Sequence, residues 1–360
     1  MDQYYPTRAM RPAPQVFSFP AGDDLTLPET YVFNNKEHRT DNFLAGTDTA
    51  ALLVLVDGKI RYENYFLTGG PDVPWTSWSV AKSFVSAMTG IALEEKLIGS
   101  PDDPVGKYLP LLKGSAYETV SIRSVLQMSS GAAWNEDYSD PESDVNRLGA
   151  VMTGEGSLQN LVQGIKPEVA PDTVCRYNSA ETQVLGMLIA AVTGQTLSDT
   201  MQTKLCDPLG FEYPGFWLLD GEGVELALGG LNLTARDYAK IGELYRNKGR
   251  WQDRQIVPES WVSKSVRSDK AHLQAGRVIV GGHVFPSGYA YQWWVPSGDE
   301  GEFSAIGIYN QFVYVNPARH SVIVKLSANR AYGTSTEEST NREEETIAWL
   351  RAVNNCLRTS

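Results

Sequence analysis

Ser79 and Lys82 lie three residues apart in the segment WSVAK, at the start of an apolar segment with helical periodicity. On a helix, side chains at i and i+3 share one face, with Cβ atoms about 5–6 Å apart. Ser79 would lie in the first turn, where free N–H groups favour developing negative charge. Burial of Lys82 among apolar neighbours would lower its pKa. The spacing predicts a serine nucleophile with a lysine partner; an exposed pair on an amphipathic helix is the alternative.

Two later segments could complete such a site. Tyr177, in the segment CRYNS, precedes an apolar helical segment and could accept the serine proton if the lysine keeps its pKa low. Gly307 lies in FSAIGIYNQ, a predicted strand, where glycine often marks a close backbone approach. The Ile308 amide would then join the Ser79 amide as a donor to an oxyanion. The alternatives are a buried, hydrogen-bonded tyrosine and a β-bulge.

The surrounding pattern predicts the elements that would position these residues. Residues 49–56 read as a strand, Asp57-Gly58 as a type I′ hairpin turn, and residues 59–66 as the second strand of the hairpin. Strand character returns at residues 311–315 and 321–326. Residues 1 to about 45 have little periodicity and predict an extended arm.

Helical and turn signals dominate between residues about 90 and 235. Ser198 and Thr234 are the predicted N-caps of two helices, and a last helix begins near Thr336. The predicted fold class is α+β, an antiparallel sheet flanked by helices beside a mostly helical region, with the cleft between them. The sheet region would comprise 1–88 and 236–360, and the helical region 89–235.

The length, charge and cysteine content of the chain limit the classes of function and partner that are expected. The 360 residues suggest about two domains. The formal net charge of −12 makes nucleic acid and membrane surfaces poor partners. Three widely spaced cysteines give neither a CxxC pair nor a disulfide framework, and no histidine or carboxylate motif predicts a metal site. We expect no metal or organic cofactor. The N-terminal segment lacks a signal-peptide pattern, so we expect a cytoplasmic protein.

Taken together and in this order, the three motifs resemble the serine β-lactamase and penicillin-binding-protein superfamily. The resemblance is closest to its class C-like branch, which includes family VIII carboxylesterases and nylon-oligomer (aminohexanoate-dimer) hydrolases. It extends from about residue 45 to 355. Further matching segments are TDTAALLV at 47–54, LQMSSG at 126–131, WNEDY at 134–138, GGLNLTARD at 229–237 and YQWW at 291–294.

The resemblance implies a role for each matching position. Ser79 would be the nucleophile, Lys82 its proton-handling partner and Tyr177 the tyrosine that passes a proton to the leaving group. The amides of Ser79 and Ile308 would form the oxyanion hole. Three residues would contact substrate: Tyr138, Asn232 and Tyr309. Which of the lysine and the tyrosine is the ground-state base stays open, because coupled groups titrate as a unit.

One departure bears on the substrate. The third motif of β-lactamases and transpeptidases usually reads Lys-Thr-Gly, whereas this chain has Ala305-Ile306-Gly307. The missing lysine argues against β-lactams and D-Ala-D-Ala peptides, and favours carboxylic esters or small linear amides. An acidic loop could attract an amine-bearing substrate, with a solvated loop as the alternative; its carboxylates are Asp137, Asp140, Glu142 and Asp144.

The sequence therefore predicts a serine hydrolase with an acyl-serine intermediate and a small-molecule ester or amide as its partner. A β-lactamase or D,D-peptidase is one alternative, and a non-catalytic binding protein that keeps the cleft is another. The oligomeric state is open, a homodimer being one of the alternatives.

Overall fold

The structure is a computed structural model that describes residues 1–154 and 156–357. Its strands are β1 (Thr7–Met10), β2 (Thr30–Phe33), β3 (Lys36–Arg39), β4 (Thr49–Val56), β5 (Lys59–Tyr65), β6 (Trp75–Thr76), β7 (Gly215–Leu218), β8 (Leu231–Leu233), β9 (Arg250–Trp251), β10 (Arg254–Gln255), β11 (Val278–Val280), β12 (His283–Phe285), β13 (Gly288–Tyr289), β14 (Trp294–Val295), β15 (Phe303–Gly307), β16 (Gln311–Asn316) and β17 (Ser321–Ser327). Its α-helices are α1 (Thr40–Gly46), α2 (Ala81–Glu94), α3 (Ile122–Leu126), α4 (Asp144–Met152), α5 (Leu158–Gly164), α6 (Ser179–Thr193), α7 (Leu197–Met201), α8 (Asp207–Leu209), α9 (Ala235–Arg246), α10 (Glu259–Ser265), α11 (Glu338–Asn341) and α12 (Glu343–Asn355).

The main sheet has seven antiparallel strands in the order β13-β14-β15-β16-β17-β4-β5. The first and last parts of the chain meet in it, because β4 pairs with β17. Asp57 and Gly58 connect β4 to β5 with φ values of 50° and 69°. Positive φ at both central residues is the geometry of a type I′ turn. The predicted hairpin is therefore confirmed.

Each face of this sheet packs on helices. Leu53 and Val324 belong to one hydrophobic cluster, together with residues of α2 and α9. Leu52 and Ile323, one position along each strand, belong to a second cluster with residues of α1 and α12. Alternate residues of a strand point to opposite faces, so burial on both sides explains the near-continuous apolar runs of β4 and β17.

Helices surround α6 in the middle of the chain, where α2, α3, α5 and α7 contact it. This region also contains strands β7 and β8, which the sequence analysis did not predict. They form a second sheet in the order β1-β7-β8-β6, so strand pairing with β7 holds the N-terminal arm. The first hydrophobic cluster continues from the main sheet into the helices. The division at residues 88 and 235 stays a prediction.

Two details of the predicted helices need correction. The N-cap of α7 is Thr196, whose hydroxyl accepts a hydrogen bond from the Asp199 amide, so the N-cap predicted at Ser198 is wrong. Ser198 is buried and its hydroxyl donates to Glu225 instead. The last helix is divided at Arg342, which has a φ of 54°. The N-cap predicted at Thr234 is confirmed, since its hydroxyl accepts from the Asp237 amide.

Within the described chain, no helix is long and apolar enough to cross a membrane.

Candidate active site

Ser79 lies at the junction between the main sheet and the helical region. Strand β6 leads into a single 3₁₀ turn, Trp78–Val80, and α2 begins directly after it. Trp78 has a φ of 47°, a backbone conformation that costs a bulky residue about 1–3 kcal/mol and is concentrated at functional sites. The Ser79 side chain is 9% exposed. The tight turn thus presents the hydroxyl at the N-terminal end of a buried helix.

Lys82, one turn further along, is fully buried and its ammonium group faces polar atoms. Its Nζ lies 3.1 Å from Ser79 Oγ and 3.2 Å from Ser179 Oγ, and donates to the Leu228 carbonyl at 2.5 Å. Burial lowers the pKa of Lys82 to about 8, and the nearby Glu136 carboxylate opposes that shift. The predicted contact between Ser79 and Lys82 is present in the structure, and the direction of the lysine pKa shift agrees with the prediction. The catalytic roles of both residues stay predictions.

Tyr177 is buried against aromatic rings beside this pair. Its ring stacks on Trp294 at a centroid distance of 5.1 Å, and Lys82 Nζ lies 5.3 Å from its centroid. Burial, with a further contribution from the Glu136 charge, raises the Tyr177 pKa well above its usual value, whereas a hydrogen bond with Ser79 lowers it. Proton acceptance by Tyr177 was predicted only if Lys82 lowers the tyrosine pKa, whereas burial raises that pKa and favours the neutral phenol.

Gly307 ends strand β15 directly against the serine turn. A Cβ at this position would lie 2.4 Å from the Ser77 carbonyl oxygen and 3.1 Å from the Ser79 nitrogen. The strand therefore approaches the serine backbone closely, as the glycine predicted. Ile308 follows and lines the same cleft as Ser79 and Tyr177. The use of its amide as an oxyanion donor stays a prediction.

The cleft in front of Ser79 is acidic. Among its described lining residues there is neither lysine nor arginine. Its carboxylates are Glu136, Asp137, Glu338, Glu343 and Glu344. Burial raises the pKa of Glu338 to about 8 and that of Glu343 to about 7, so both are partly protonated at neutral pH.

Tyr138 lines this cleft, as predicted, and its hydroxyl donates to Glu136 at 2.8 Å. The structure does not bring Asn232 or Tyr309 to this cleft: both line a different cavity, together with Trp78. Asn232 accepts a hydrogen bond from the Thr76 hydroxyl at 2.7 Å and so links β8 to β6. The Tyr309 ring packs on Trp78. Their role in substrate binding stays a prediction.

Only Asp137 of the predicted acidic loop lines the cleft. Asp140 and Asp144 accept hydrogen bonds from backbone amides of the loop, and Glu142 is exposed.

Sequence reasoning missed two groups of carboxylates. Glu136 was visible only as part of a matching segment, two residues before Tyr138. The positions of Glu343 and Glu344 could be explained locally, because the helix dipole favours acidic residues at a helix N-terminus. Their place in the cleft is visible only in the structure, where the segment that follows Tyr332 returns to it.

Comparison with known proteins agrees with this architecture. The family model described as Beta-lactamase matches residues 37–347. A 6-aminohexanoate-dimer hydrolase from Paenarthrobacter ureafaciens is 30% identical over 79% of this chain and 74% of that protein. A Bacillus anthracis protein provisionally described as a 6-aminohexanoate-dimer hydrolase has a structure that superposes with a TM-score of 0.86, at 24% identity over 99% of this chain and 92% of that one. A family VIII carboxylesterase shares the fold, with a TM-score of 0.65 and 14% identity over 88% of this chain and 95% of that one.

An antiparallel sheet joined to a helical region, with a buried Ser-x-x-Lys pair at the junction, is the β-lactamase/transpeptidase-like fold. The chain belongs to the beta-lactamase family of hydrolases. The predicted fold class and family resemblance are confirmed.

Proposed function

We propose that this protein is a serine hydrolase that cleaves carboxylic esters and small linear amides through an acyl-Ser79 intermediate. The observation that carries the proposal is the 3.1 Å contact between Ser79 Oγ, which lines the cleft, and the buried Lys82 Nζ. A lysine with a pKa of about 8 is partly neutral near pH 7–8 and can accept the serine proton.

In the first step, Ser79 Oγ bonds to the substrate carbonyl carbon while its proton passes to neutral Lys82. The amides of Ser79 and Ile308 stabilise the tetrahedral oxyanion, and losing one such donor typically costs about 2.7–4 kcal/mol. Tyr177, a phenol, then gives its proton to the leaving alcohol or amine and recovers one from Lys82. Water hydrolyses the acyl-serine by the same path in reverse, which releases the carboxylic acid and restores the free hydroxyl.

The charge of the cleft supports neutral or cationic substrates over anionic ones. Ala305 stands where the family's lysine would bind a substrate carboxylate, and it is buried in the first hydrophobic cluster. Five carboxyl groups line the cleft, and those that are ionised would attract an ammonium group. The similarity to a 6-aminohexanoate-dimer hydrolase makes a linear amide with a free amine a natural substrate to test.

The direct test is hydrolysis of p-nitrophenyl butyrate by the wild type and by Ser79→Ala. Ser139→Ala is the matched control, since it makes the same change on an exposed serine of the cleft rim. We expect Ser79→Ala to lose at least about 10³-fold in kcat, as general-base and nucleophile losses do, with unchanged thermal unfolding. Labelling of the wild type by a fluorophosphonate should add one mass increment at Ser79.

A Ser79→Ala variant that keeps more than a few per cent of activity would contradict the nucleophile assignment. Inactivity of the wild type together with no fluorophosphonate adduct would favour a binding protein. Nitrocefin separates the β-lactamase alternative, which predicts turnover faster than that of the ester.

A further inference from the structure

Glu136 is a buried carboxylate that the hydrolytic steps above do not use. It is 2% exposed and accepts four hydrogen bonds. Ser179 supplies two of them, from its amide at 3.0 Å and from its hydroxyl at 2.5 Å. The Tyr138 hydroxyl and the Trp134 indole N–H supply the others. The Ser179 amide and the Trp134 indole can only donate, and a carboxylate accepts from all four partners.

These contacts set the direction of a hydrogen-bond chain that ends at the nucleophile. A serine hydroxyl has one hydrogen, and that of Ser179 is directed to Glu136. Ser179 Oγ can therefore only accept from Lys82 Nζ, 3.2 Å away. The Leu228 carbonyl, which has no hydrogen to give, takes a second N–H of Lys82 at 2.5 Å.

A neutral amine has two N–H groups and one lone pair. With both N–H groups directed to Ser179 and Leu228, the lone pair is left for the third neighbour, the Ser79 hydroxyl at 3.1 Å. A reversed Ser179 hydroxyl would instead donate to Lys82 and compete with Ser79 for that lone pair. The carboxylate prevents this reversal.

We propose that Glu136 is a positioning residue which, through Ser179, holds the Lys82 lone pair on the Ser79 hydroxyl. The proposal rests on the proposed serine-hydrolase function. Glu136 has a second effect through its charge, because a carboxylate one hydroxyl away from Lys82 favours the protonated amine.

Three titratable groups face Lys82 or its hydrogen-bond chain: Glu136, Tyr177 and, beyond the carboxylate, Tyr138. Burial raises the pKa of both tyrosines well above the usual value, so neither changes charge between pH 6 and 9. Glu343 and Glu338 line the same cleft and ionise in this range, with pKa values of about 7 and about 8. The part of the acidic limb of kcat/KM that belongs to Lys82 is therefore identified by its change when Glu136 is replaced.

The test compares kcat/KM for p-nitrophenyl butyrate from pH 6 to 10 in the wild type, Glu136→Gln and the matched control Glu142→Gln. The amide of the glutamine can donate to Ser179 and allow the reversed hydroxyl. We expect a plateau about 10- to 100-fold below the wild type, reaching at most the lower end of the roughly 10²–10⁴-fold that general-base catalysis contributes, because Lys82 itself is retained. Loss of the charge should also move the acidic limb to lower pH by about one unit. Glu142 is exposed, so its variant should match the wild type.

If Glu136→Gln only damaged the packing of the site, the plateau of kcat/KM would fall while the acidic limb of the profile kept its position. That result would overturn the proposal. Ser179→Ala keeps the carboxylate but removes the connecting hydroxyl. If Glu136 acts through Ser179, the double variant should lose little more than the single variants do, since residues of one network are not additive. Additive losses would contradict the proposal, as would an unshifted limb in an enzyme whose melting temperature is unchanged.

Measuring Ser79→Ala beside these variants distinguishes failure of the serine-hydrolase function from failure of the positioning role of Glu136. Failure of the proposed function appears as wild-type activity that survives Ser79→Ala. Failure of the positioning role appears as serine-dependent activity that keeps its pH profile in Glu136→Gln. If Glu136→Gln does not fold, Ser179→Ala alone must lower the plateau by at least about 10-fold, and an unchanged plateau would overturn the proposal.

Discussion

Gly307→Ala tests whether the close approach of strand β15 to the serine turn is needed for catalysis, with activity and stability measured separately. A Cβ at Gly307 would lie 2.4 Å from the Ser77 carbonyl oxygen, whereas ordinary contacts begin at 3.4 Å. The strand end or the serine turn would have to move by about 1 Å, because both partners are backbone atoms. A misplacement of that size costs about 10²-fold in rate, and losing one oxyanion donor about 10²–10³-fold. We expect kcat/KM to fall by about 10²- to 10³-fold.

Gly149→Ala is the control for this substitution. Gly149 lies in α4, and a methyl group added there would have nothing within 4 Å, so alanine should stabilise the protein by about 0.5–1 kcal/mol and leave the rate unchanged. At Gly307 the added methyl should cost about 1–3 kcal/mol of overpacking. The assays are p-nitrophenyl butyrate hydrolysis and thermal unfolding. Wild-type kcat/KM in a folded Gly307→Ala enzyme would refute the argument that the close backbone approach builds the oxyanion hole.

Two predictions concern pH. In the wild type, kcat/KM for a neutral ester should rise with pH and level off above about 8, because Lys82 must be neutral to accept the proton; a profile that is flat from pH 6 to 9 would exclude Lys82 as the base. For a linear amide with a free amine, KM should fall between pH 6 and 9 as Glu343 and Glu338 ionise, with pKa values of about 7 and about 8. The KM of the neutral ester is the internal control, and an equal fall for both substrates would argue against recognition of the amine by these carboxylates.

Local relations in the chain were the ones that the sequence predicted well. The Ser79–Lys82 contact follows from a three-residue helical spacing, and the β4–β5 hairpin from its Asp-Gly turn. Gly307 carried a steric signal of its own, because only glycine allows another backbone so close. Each of these inferences needed only a few neighbouring residues.

Relations between distant segments could not be read in this way. Glu136 and Ser179 are 43 residues apart, and no periodicity connects the loop of one to the helix of the other. Asn232 lies in a matching family segment, yet its side chain is used between β6 and β8. Thr196 and Ser198 are both acceptable N-caps by type, and only the burial of Ser198 against Glu225 decides between them.

The two parts of the site depend on separate segments of the chain. The Ser79 turn, the start of α6 and the end of β15 hold the groups proposed to react, whereas residues 332–344 supply three of the five carboxylates that line the cleft. Arg342, with its left-handed backbone, divides α11 from α12 beside Glu343. Substitutions in the second segment could therefore change the charge of the cleft without moving Ser79 or Lys82. If the proposed function holds, substrate charge preference can vary in this protein independently of the acyl-transfer chemistry.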